Sequence, residues 1–318
     1  MTARQPFSRV AIDRFEGIEE RPGVPKNDPI LVADAISRRF GGLTAVSVDH
    51  CEIERGAITA LIGPNGAGKT TFFNLLTGFD KPNSGGWTFD GTPLAGLPSY
   101  RVARLGMVRT FQLTKALARL TVIDNMRLGA ADQTGEGFFR ALWRPGWRDQ
   151  EAEVESRAEA LLERFNLTHM RDEFAGELSG GQRKLLEMAR ALMAQPRLLM
   201  LDEPMAGVNP ALAQTIIGHV EQLREDGLTV LFVEHDMDVV RTISDWVVVM
   251  SEGEVIAEGR HSAIVTNSRV IDAYLGAHHG TPLDRAEQDR QLAEAQARAD
   301  AELQAKHAVP VTDEETAP

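Results

Sequence analysis

Hydrophobic positions along the chain fall into short, dense runs separated by polar, glycine-bearing turns. Pro29-Ile30-Leu31-Val32 opens the first strand candidate, and Val46–Ile53 forms the second. In an extended chain Val46 and Val48 share one face while Cys51 and Ile53 share the other, so the alternation slips near His50, a pattern compatible with a bulge. Thr59-Ala60-Leu61-Ile62 is short and β-prone and ends at Gly63; after a glycine-rich turn, Lys69-Thr70-Thr71 opens a helix bearing Phe72, Phe73, Leu75 and Leu76. Leu198–Leu201 and Leu228–Val233 are apolar without alternation, the pattern of strands covered on both faces of a parallel sheet. Between them Pro210–Glu225 reads as a helix carrying Leu212, Ile216, Ile217, Val220 and Leu223. Trp246–Met250 and Val255–Ala257 follow as late strands joined by Ser251-Glu252-Gly253.

Alternation of strand and helix predicts an α/β core. The middle of the chain, about residues 114–190, has helix-favouring runs such as Glu151–Phe165 and few strand signals, and is expected to be a helical subdomain inserted in that core. Within it, residues 138–148 (FFRALWRPGWR) combine aromatic and basic side chains, which suits either packing on neighbouring helices or contact with a partner. Residues 1–28 mix charge, Pro and Gly without periodicity and are expected to form a flexible or loosely docked leader, so the folded part is placed at 29–276. Residues 277–318 are expected to be a frayed helix or disordered: Glu294 with Arg298 and Glu302 with Lys306 sit at favourable i,i+4 spacing, but the apolar stripe is weak.

Charge narrows the partners. The 318 residues carry a formal net charge of -12, with 43% hydrophobic and 25% charged residues, so the chain is globular in composition and no direct nucleic acid partner is expected. Part of that acidity lies in the tail, since residues 283–318 hold nine acidic and four basic side chains. The single cysteine, Cys51, excludes an internal disulfide and, lying in a strand, reads as a buried thiol. No apolar run is long enough for a membrane span or a secretory signal, so the protein is expected in the cytoplasm, with any membrane attachment running through a partner. Zinc is not expected: among eight histidines only His278 and His279 are close together, and Cys51 stands alone.

The chemistry is concentrated in a few short phrases. Gly63-Pro64-Asn65-Gly66-Ala67-Gly68-Lys69-Thr70 fits the phosphate-loop pattern, and it lies between a strand and a helix as that pattern requires. A triphosphate needs concentrated positive potential without steric bulk. Gly63, Gly66 and Gly68 let backbone N–H groups turn inward, the helix start adds free donors, Lys69 reaches the β and γ phosphates, Thr70 offers a hydroxyl to Mg²⁺, and Thr71 adds a further donor. Asn65 completes the loop. Leu198-Leu199-Met200-Leu201-Asp202-Glu203 buries a strand and leaves two carboxylates at its carboxyl end, where ligands sit in open parallel sheets. Asp202 is expected to hold hydrated Mg²⁺ and Glu203 to act on the attacking water. His235, just past the strand ending at Val233, can contact the γ-phosphate.

Leu178-Ser179-Gly180-Gly181-Gln182 resembles the signature sequence of ABC ATPases, and like that signature it precedes the Asp202 strand by one helix. Ser179 can cap that helix, and Gly180 and Gly181 expose donors to an anion. The resemblance implies an α/β fold with a P-loop NTPase core of ABC type, an antiparallel β subdomain and an inserted helical subdomain. It further implies that Ser179, Gly180, Gly181 and Gln182 complete the ATP site of a second ATPase subunit. By the same resemblance Phe40 matches the adenine-stacking aromatic, Gln112 the switch glutamine that also meets the metal, and His235 the switch histidine. Met205–Asn209 matches the loop that couples the two sites, with Asn209 where most members have Asp. Arg109-Thr110-Phe111-Gln112, Leu120–Asn125, Ala206–Pro210 and Val270–Gly276 are similar to the ATP-binding subunit of bacterial branched-chain amino-acid importers. That implies ATP and Mg²⁺ as cofactors, a homodimer or heterodimer of two ATPase subunits, integral membrane permease subunits, an indirectly engaged extracytoplasmic solute-binding protein, and a place on the cytoplasmic face of the membrane. Related urea and amide importers share these phrases. DNA-acting ABC ATPases differ, because the stretch between Gln112 and Ser179 is too short for their coiled coil, and ribosome-acting members usually carry two cassettes where this chain has one.

Overall fold

Two sheets of opposite character share one strand-rich core, and their order along the chain explains where the loops converge. In the computed structural model, which describes residues 14–110, 117–131 and 148–276, β1 (Pro29–Phe40) and β2 (Leu43–Glu54) form a long hairpin, followed by β3 (Ile58–Ile62) and α1 (Lys69–Leu76). β4 (Ser84–Phe89), β5 (Thr92–Pro93), α2 (Ser99–Arg104) and β6 (Met107–Arg109) come next. The helices α3 (Val122–Gly129), α4 (Arg148–Arg164) and α5 (Gly180–Met193) lead into β7 (Leu198–Asp202), α6 (Pro210–Glu225), β8 (Thr229–Val233) and α7 (Met237–Ile243). β9 (Trp246–Ser251), β10 (Glu254–Gly259), α8 (His261–Ile264) and α9 (Ser268–Gly276) complete the order. Gln112, residues 138–147, residues 1–13 and the tail from 277 lie outside the described residues.

One sheet is antiparallel, in the order β2-β1-β4-β5, and the other runs β10-β9-β3-β8-β7-β6. In the second sheet β9, β3, β8, β7 and β6 are parallel neighbours, and only β10 runs antiparallel. The uniform hydrophobicity of its strands follows from burial on both faces. Val230 and Phe232 of β8 and Val247 and Val249 of β9 point into one apolar cluster, which they share with Leu162, Phe165 and Leu185 of the helical region. Leu231, Val233, Trp246, Val248 and Met250 point into the other cluster, shared with Phe72 and Phe73 of α1 and with Ile36 and Val46 of the antiparallel sheet.

The slip in alternation near His50 has a cause other than a bulge. The β1–β2 ladder runs in register through Asp34↔His50 and Ile36↔Val48, and its irregularities lie at Pro29/Leu31 and Arg38/Arg39. Cys51, Glu52, Ile53 and Glu54 are all buried, so this end of β2 is covered on both faces. The cover is part of the expected leader. Lys26 N–H donates to Glu52 at 2.5 Å, and Asp28 N–H donates to Glu54 at 2.9 Å.

Of the two expectations for the leader, flexible or loosely docked, residues 14–28 take the second: they pack into the fold. Phe15 stacks on Trp246 with ring centroids 4.6 Å apart and an interplanar angle of 13°. Lys26 Nζ donates to Glu258 Oε2 at 2.7 Å, with side chains only 1% and 0% exposed, and lies 4.8 Å from the Trp246 ring centroid. Glu258 also accepts from Trp246 Nε1 at 3.0 Å and from the backbone N–H of Gly23 at 2.5 Å. The sequence hid this because the stretch has no periodicity: it docks through single side chains and backbone groups spaced by turns. Burial also pushes the Cys51 thiol far up, as expected of an inert structural cysteine.

Removing one member of a buried pair strands the other charge, at a cost of about 3–5 kcal/mol. Lys26→Met is expected to lower the apparent melting temperature by on the order of 10 °C in a thermal scan of the full chain. An unchanged midpoint would show that the docked segment contributes nothing to the fold.

Candidate functional site

The carboxyl ends of β3, β6, β7 and β8 lie along one edge of the parallel sheet, and each delivers a polar group. Register sets the alignment: Leu61 and Asp202 both pair with Val233, and Arg109 pairs with Met200.

At the end of β3 the loop from Gly63 to Gly68 turns into α1. Gly63 has φ 151°, and a Cβ there would lie 2.0 Å from the Met250 carbonyl oxygen; Gly68 has φ 93°, with a Cβ position 2.3 Å from the Ala45 carbonyl oxygen. Side chains are thus excluded by backbone on the far wall, and the loop is pressed against β9 and β2. Gly68 occupies the N-cap of α1 without any side-chain cap, which leaves the helix's first amide donors to a ligand. Asn65, Gly66 and Thr70 are exposed, and Thr71 is half-buried. Lys69 is buried and curls back over the loop, donating to the carbonyls of Gly63 at 2.7 Å and Pro64 at 2.9 Å. Burial pushes its ammonium below the ordinary lysine range, while the neighbouring Glu203 and Asp202 carboxylates pull it back up.

Asp202 and Glu203 follow β7. Asp202 Oδ2 accepts from Arg109 Nη2 at 2.5 Å, and Arg109 Nη1 donates to Asn74 Oδ1 of α1 at 2.5 Å, so one guanidinium ties β6, β7 and α1 together. Glu203 Oε1 lies 2.6 Å from His235 Nε2. Glu203 adopts φ 47°, a left-handed conformation that costs a non-glycine residue about 1–2 kcal/mol. Its turn is held from several sides. Glu203 N–H donates to Val233 O at 3.1 Å, and Lys184 Nζ of α5 donates to the carbonyls of Glu203 at 3.1 Å and Pro204 at 3.0 Å. Glu234 is buried and accepts from the amides of Met205 at 2.8 Å and His235 at 3.2 Å. Burial raises the pKa of Glu234, against those two amide donors.

Ser179, Gly180, Gly181 and Gln182 stand at the start of α5. Ser179 and Gln182 form a reciprocal capping box: Gln182 N–H donates to Ser179 Oγ at 3.2 Å, and Ser179 N–H donates to Gln182 Oε1 at 2.9 Å. Asn209 caps α6, accepting from Leu212 N–H at 2.9 Å with Pro210 at the first helical position, so replacing Asp by Asn preserves the turn. Phe40 ends β1, half-buried, with the Arg38 guanidinium 4.5 Å from its ring centroid and Arg38 itself paired to Asp80 at 2.8 Å.

Arg109, Asn74, Lys184, Glu187 and Glu234 had no site role in the sequence reading. Glu187, on α5, has a pKa pushed up to about 7, first by burial and also by Asp202, against Arg190 and Lys184. Arg109 was visible as part of a motif, but its hold on Asp202 spans 93 positions and leaves no local signal.

The residues present fit a magnesium nucleotide. The Cβ-excluding loop, the uncapped helix start and the buried ammonium suit phosphate oxygens, and Thr70 and Asp202 are hard oxygen donors. Among the described residues no group of three or more His, Cys, Asp or Glu side chains could hold a metal ion. No described helix is long and apolar enough to cross a membrane.

The ABC transporter family profile matches residues 46–206. A probable branched-chain amino acid transport ATP-binding protein LivG of Archaeoglobus fulgidus is 41% identical over 248 residues, 78% of this chain and 96% of the relative. The high-affinity branched-chain amino acid transport ATP-binding protein BraF of Pseudomonas aeruginosa is 42% identical over 250 residues, 78% of this chain and 98% of the relative. Among solved structures, a nucleotide-free ATP-binding cassette from an ABC transporter aligns with TM-score 0.68 and 37% identity over 77% of this chain and 98% of its own. The ADP conformation of an ATP-binding cassette of an ABC transporter aligns with TM-score 0.68 and 36% identity, over 78% and 99%. A phosphate loop, a strand-end acid pair and a capped signature turn on this fold, together with relatives matched over nearly their whole length, establish that the chain belongs to the ABC transporter family as one of its ATP-hydrolysing subunits.

Proposed function

We propose that this chain powers an importer of branched-chain amino acids. The observation that carries the ATPase chemistry is the meeting of Lys69, Asp202 and the Glu203–His235 pair at one sheet edge. The substrate class rests on relatives that carry that transport name and are matched over 96% and 98% of their length.

In this reading the amides of Gly63, Gly66 and Gly68 and the start of α1 receive the phosphates. Lys69 exchanges its bonds to Gly63 and Pro64 for phosphate oxygens, Thr71 adds a donor, and Phe40 offers a face to the adenine. Thr70, Asp202 and Gln112 would hold Mg²⁺, which when bound would neutralise negative charge on the phosphates. Arg109 aims Asp202 by fixing one of its oxygens. Glu203 accepts a proton from, or orients, the attacking water, and His235, paired to Glu203, stands where the γ-phosphate is expected. Ser179, Gly180, Gly181 and Gln182 cover the nucleotide of a second ATPase subunit, identical or different. Closure of two such subunits moves integral membrane permeases, which keep this chain on the cytoplasmic face, while a solute-binding protein acts at a distance. The acidic balance, -12 overall, speaks against nucleic acid as a direct partner.

Two measurements test the reading. Glu203→Gln is expected to bind ATP as the wild type does and to hydrolyse it at least about 100-fold more slowly, the usual contribution of a positioned acid or base. Equal turnover by both proteins removes Glu203 from the chemistry. In cells lacking the gene for this chain, uptake of labelled leucine, isoleucine and valine is expected to be restored by wild type and not by Lys69→Ala. Restoration of urea or short-amide uptake instead would reassign the substrate.

A further inference from the structure

Glu203 keeps a left-handed backbone, φ 47°, at a position where a side chain disfavours it. Such a conformation persists only where its surroundings over-determine it. The bonds from Val233 and Glu234 come from β8 and the residue just after it, the neighbouring strand of the same sheet. Within the turn, Ala206 N–H donates to the Glu203 carbonyl at 3.1 Å, and Lys184 hydrogen-bonds the turn from the helical layer. Its Nζ donates to two consecutive carbonyls, Glu203 at 3.1 Å and Pro204 at 3.0 Å.

Several features make this contact specific to the turn. Lys184 is half-buried, and its ammonium is pushed below the ordinary lysine range by burial, with Glu187, Glu234 and Glu203 opposing that shift. A desolvated ammonium needs fixed acceptors, and both acceptors here are backbone oxygens. Carbonyls bound on one side orient the peptide planes on either side of Pro204. These planes set the direction of the Glu203 side chain, whose Oε1 lies 2.6 Å from His235 Nε2. Lys184 is also the fifth residue of α5, the helix opened by the Ser179–Gln182 capping box. One side chain therefore joins the signature helix to the backbone of the water-handling carboxylate, and through Met205 to the loop that ends at the Asn209 cap.

We infer that Lys184 is a positioning residue for Glu203: it clamps the Glu203-Pro204 carbonyls and so holds the carboxylate in its left-handed, site-facing conformation. It acts through the turn, by its bonds to the two carbonyls. This rests on the reading of Glu203 as the residue that handles the attacking water.

The test uses the full-length chain, co-purified with its partner subunits, as wild type, Lys184→Met, Lys184→Arg and Glu203→Gln. Lys184→Met removes both donors and keeps the aliphatic stem. It is expected to lower kcat about 10- to 100-fold, as a small misplacement of a catalytic group does, while KM and the affinity for a fluorescent ATP analogue stay within about threefold. Amide hydrogen exchange in the peptide spanning 203–208 is expected to speed up at least about fivefold, with α1 and β8 unchanged. Lys184→Arg keeps two donors and is expected to recover most of the lost kcat. The clamp is overturned if Lys184→Met keeps wild-type kcat. It is equally overturned if kcat, nucleotide affinity and protection across the whole domain fall together, or if Lys184→Arg is as slow as Lys184→Met. Glu203→Gln separates the two levels: wild-type turnover in that variant defeats the reading of Glu203, whereas a dead Glu203→Gln beside a fully active Lys184→Met defeats the clamp alone.

Discussion

A buried ammonium must be solvated by something, and in this chain Lys69 is solvated by its own loop, through the carbonyls of Gly63 and Pro64 at 2.7 and 2.9 Å. That arrangement fixes much of the rest. The carbonyls can face the lysine only if the loop turns tightly, and the turn is possible only where side chains are absent from its back wall. At Gly63 and Gly68 a Cβ would fall within 2.0 and 2.3 Å of carbonyl oxygens from β9 and from the residue before Val46 of β2. The loop cannot relax outward without leaving those walls, so its amides keep facing the open side. Burial disfavours the charge on Lys69, and Asp202 and Glu203 restore part of it. An arriving triphosphate would complete the compensation.

Parallel strands bring the remaining groups to the same place. In a sheet whose strands run the same way, every carboxyl end opens on one edge, and one residue past that edge is the first with room for a polar side chain. Arg109 and Asp202 close β6 and β7, and Glu203, Glu234 and His235 follow within two residues of the ends of β7 and β8. Crowding of carboxylates there is offset by Arg109 on Asp202 and by backbone amides on Glu234. The fold thus concentrates charge at one edge and neutralises it with groups from neighbouring strands and helices.

The parts of this site that were legible in the sequence are those in which chemistry and local structure share a contiguous phrase. The loop before Lys69 needs a strand, glycines and a helix in that order, and Asp202-Glu203 needs only an apolar strand before it. Ser179 and Gln182 are three apart, which is enough to read a helix cap. Arg109, Lys184 and Glu234 were not legible, because each acts on a partner 93, 19 and 29 positions away, and no spacing rule covers that. β4 escaped for a different reason: Gly85 and Gly86 dilute its strand signal, although Gly85 must be bare because a Cβ would lie 2.1 Å from the Ala35 carbonyl oxygen. The docked segment at 14–28 escaped because it is neither helix nor strand, and its only trace was the broken alternation at the end of β2.

That trace links the segment to the Gly63–Gly68 loop. Lys26 and Phe15 hold Glu258 and Trp246, which stand on β10 and β9. The turn joining those two strands carries Gly253, whose N–H donates to Ala67 O at 3.1 Å and whose carbonyl accepts from Ser47 N–H at 2.7 Å. Ala67 lies within the Gly63–Gly68 loop, so the hairpin pinned by the buried Lys26–Glu258 pair also forms the loop's back wall, through Met250 O as well as Gly253. A loop that depends on close backbone approach tolerates little displacement of that wall. The buried ion pair and the aromatic stack at the far end of the hairpin are therefore part of what keeps Gly63 and Gly68 in the conformations on which the amide cradle depends.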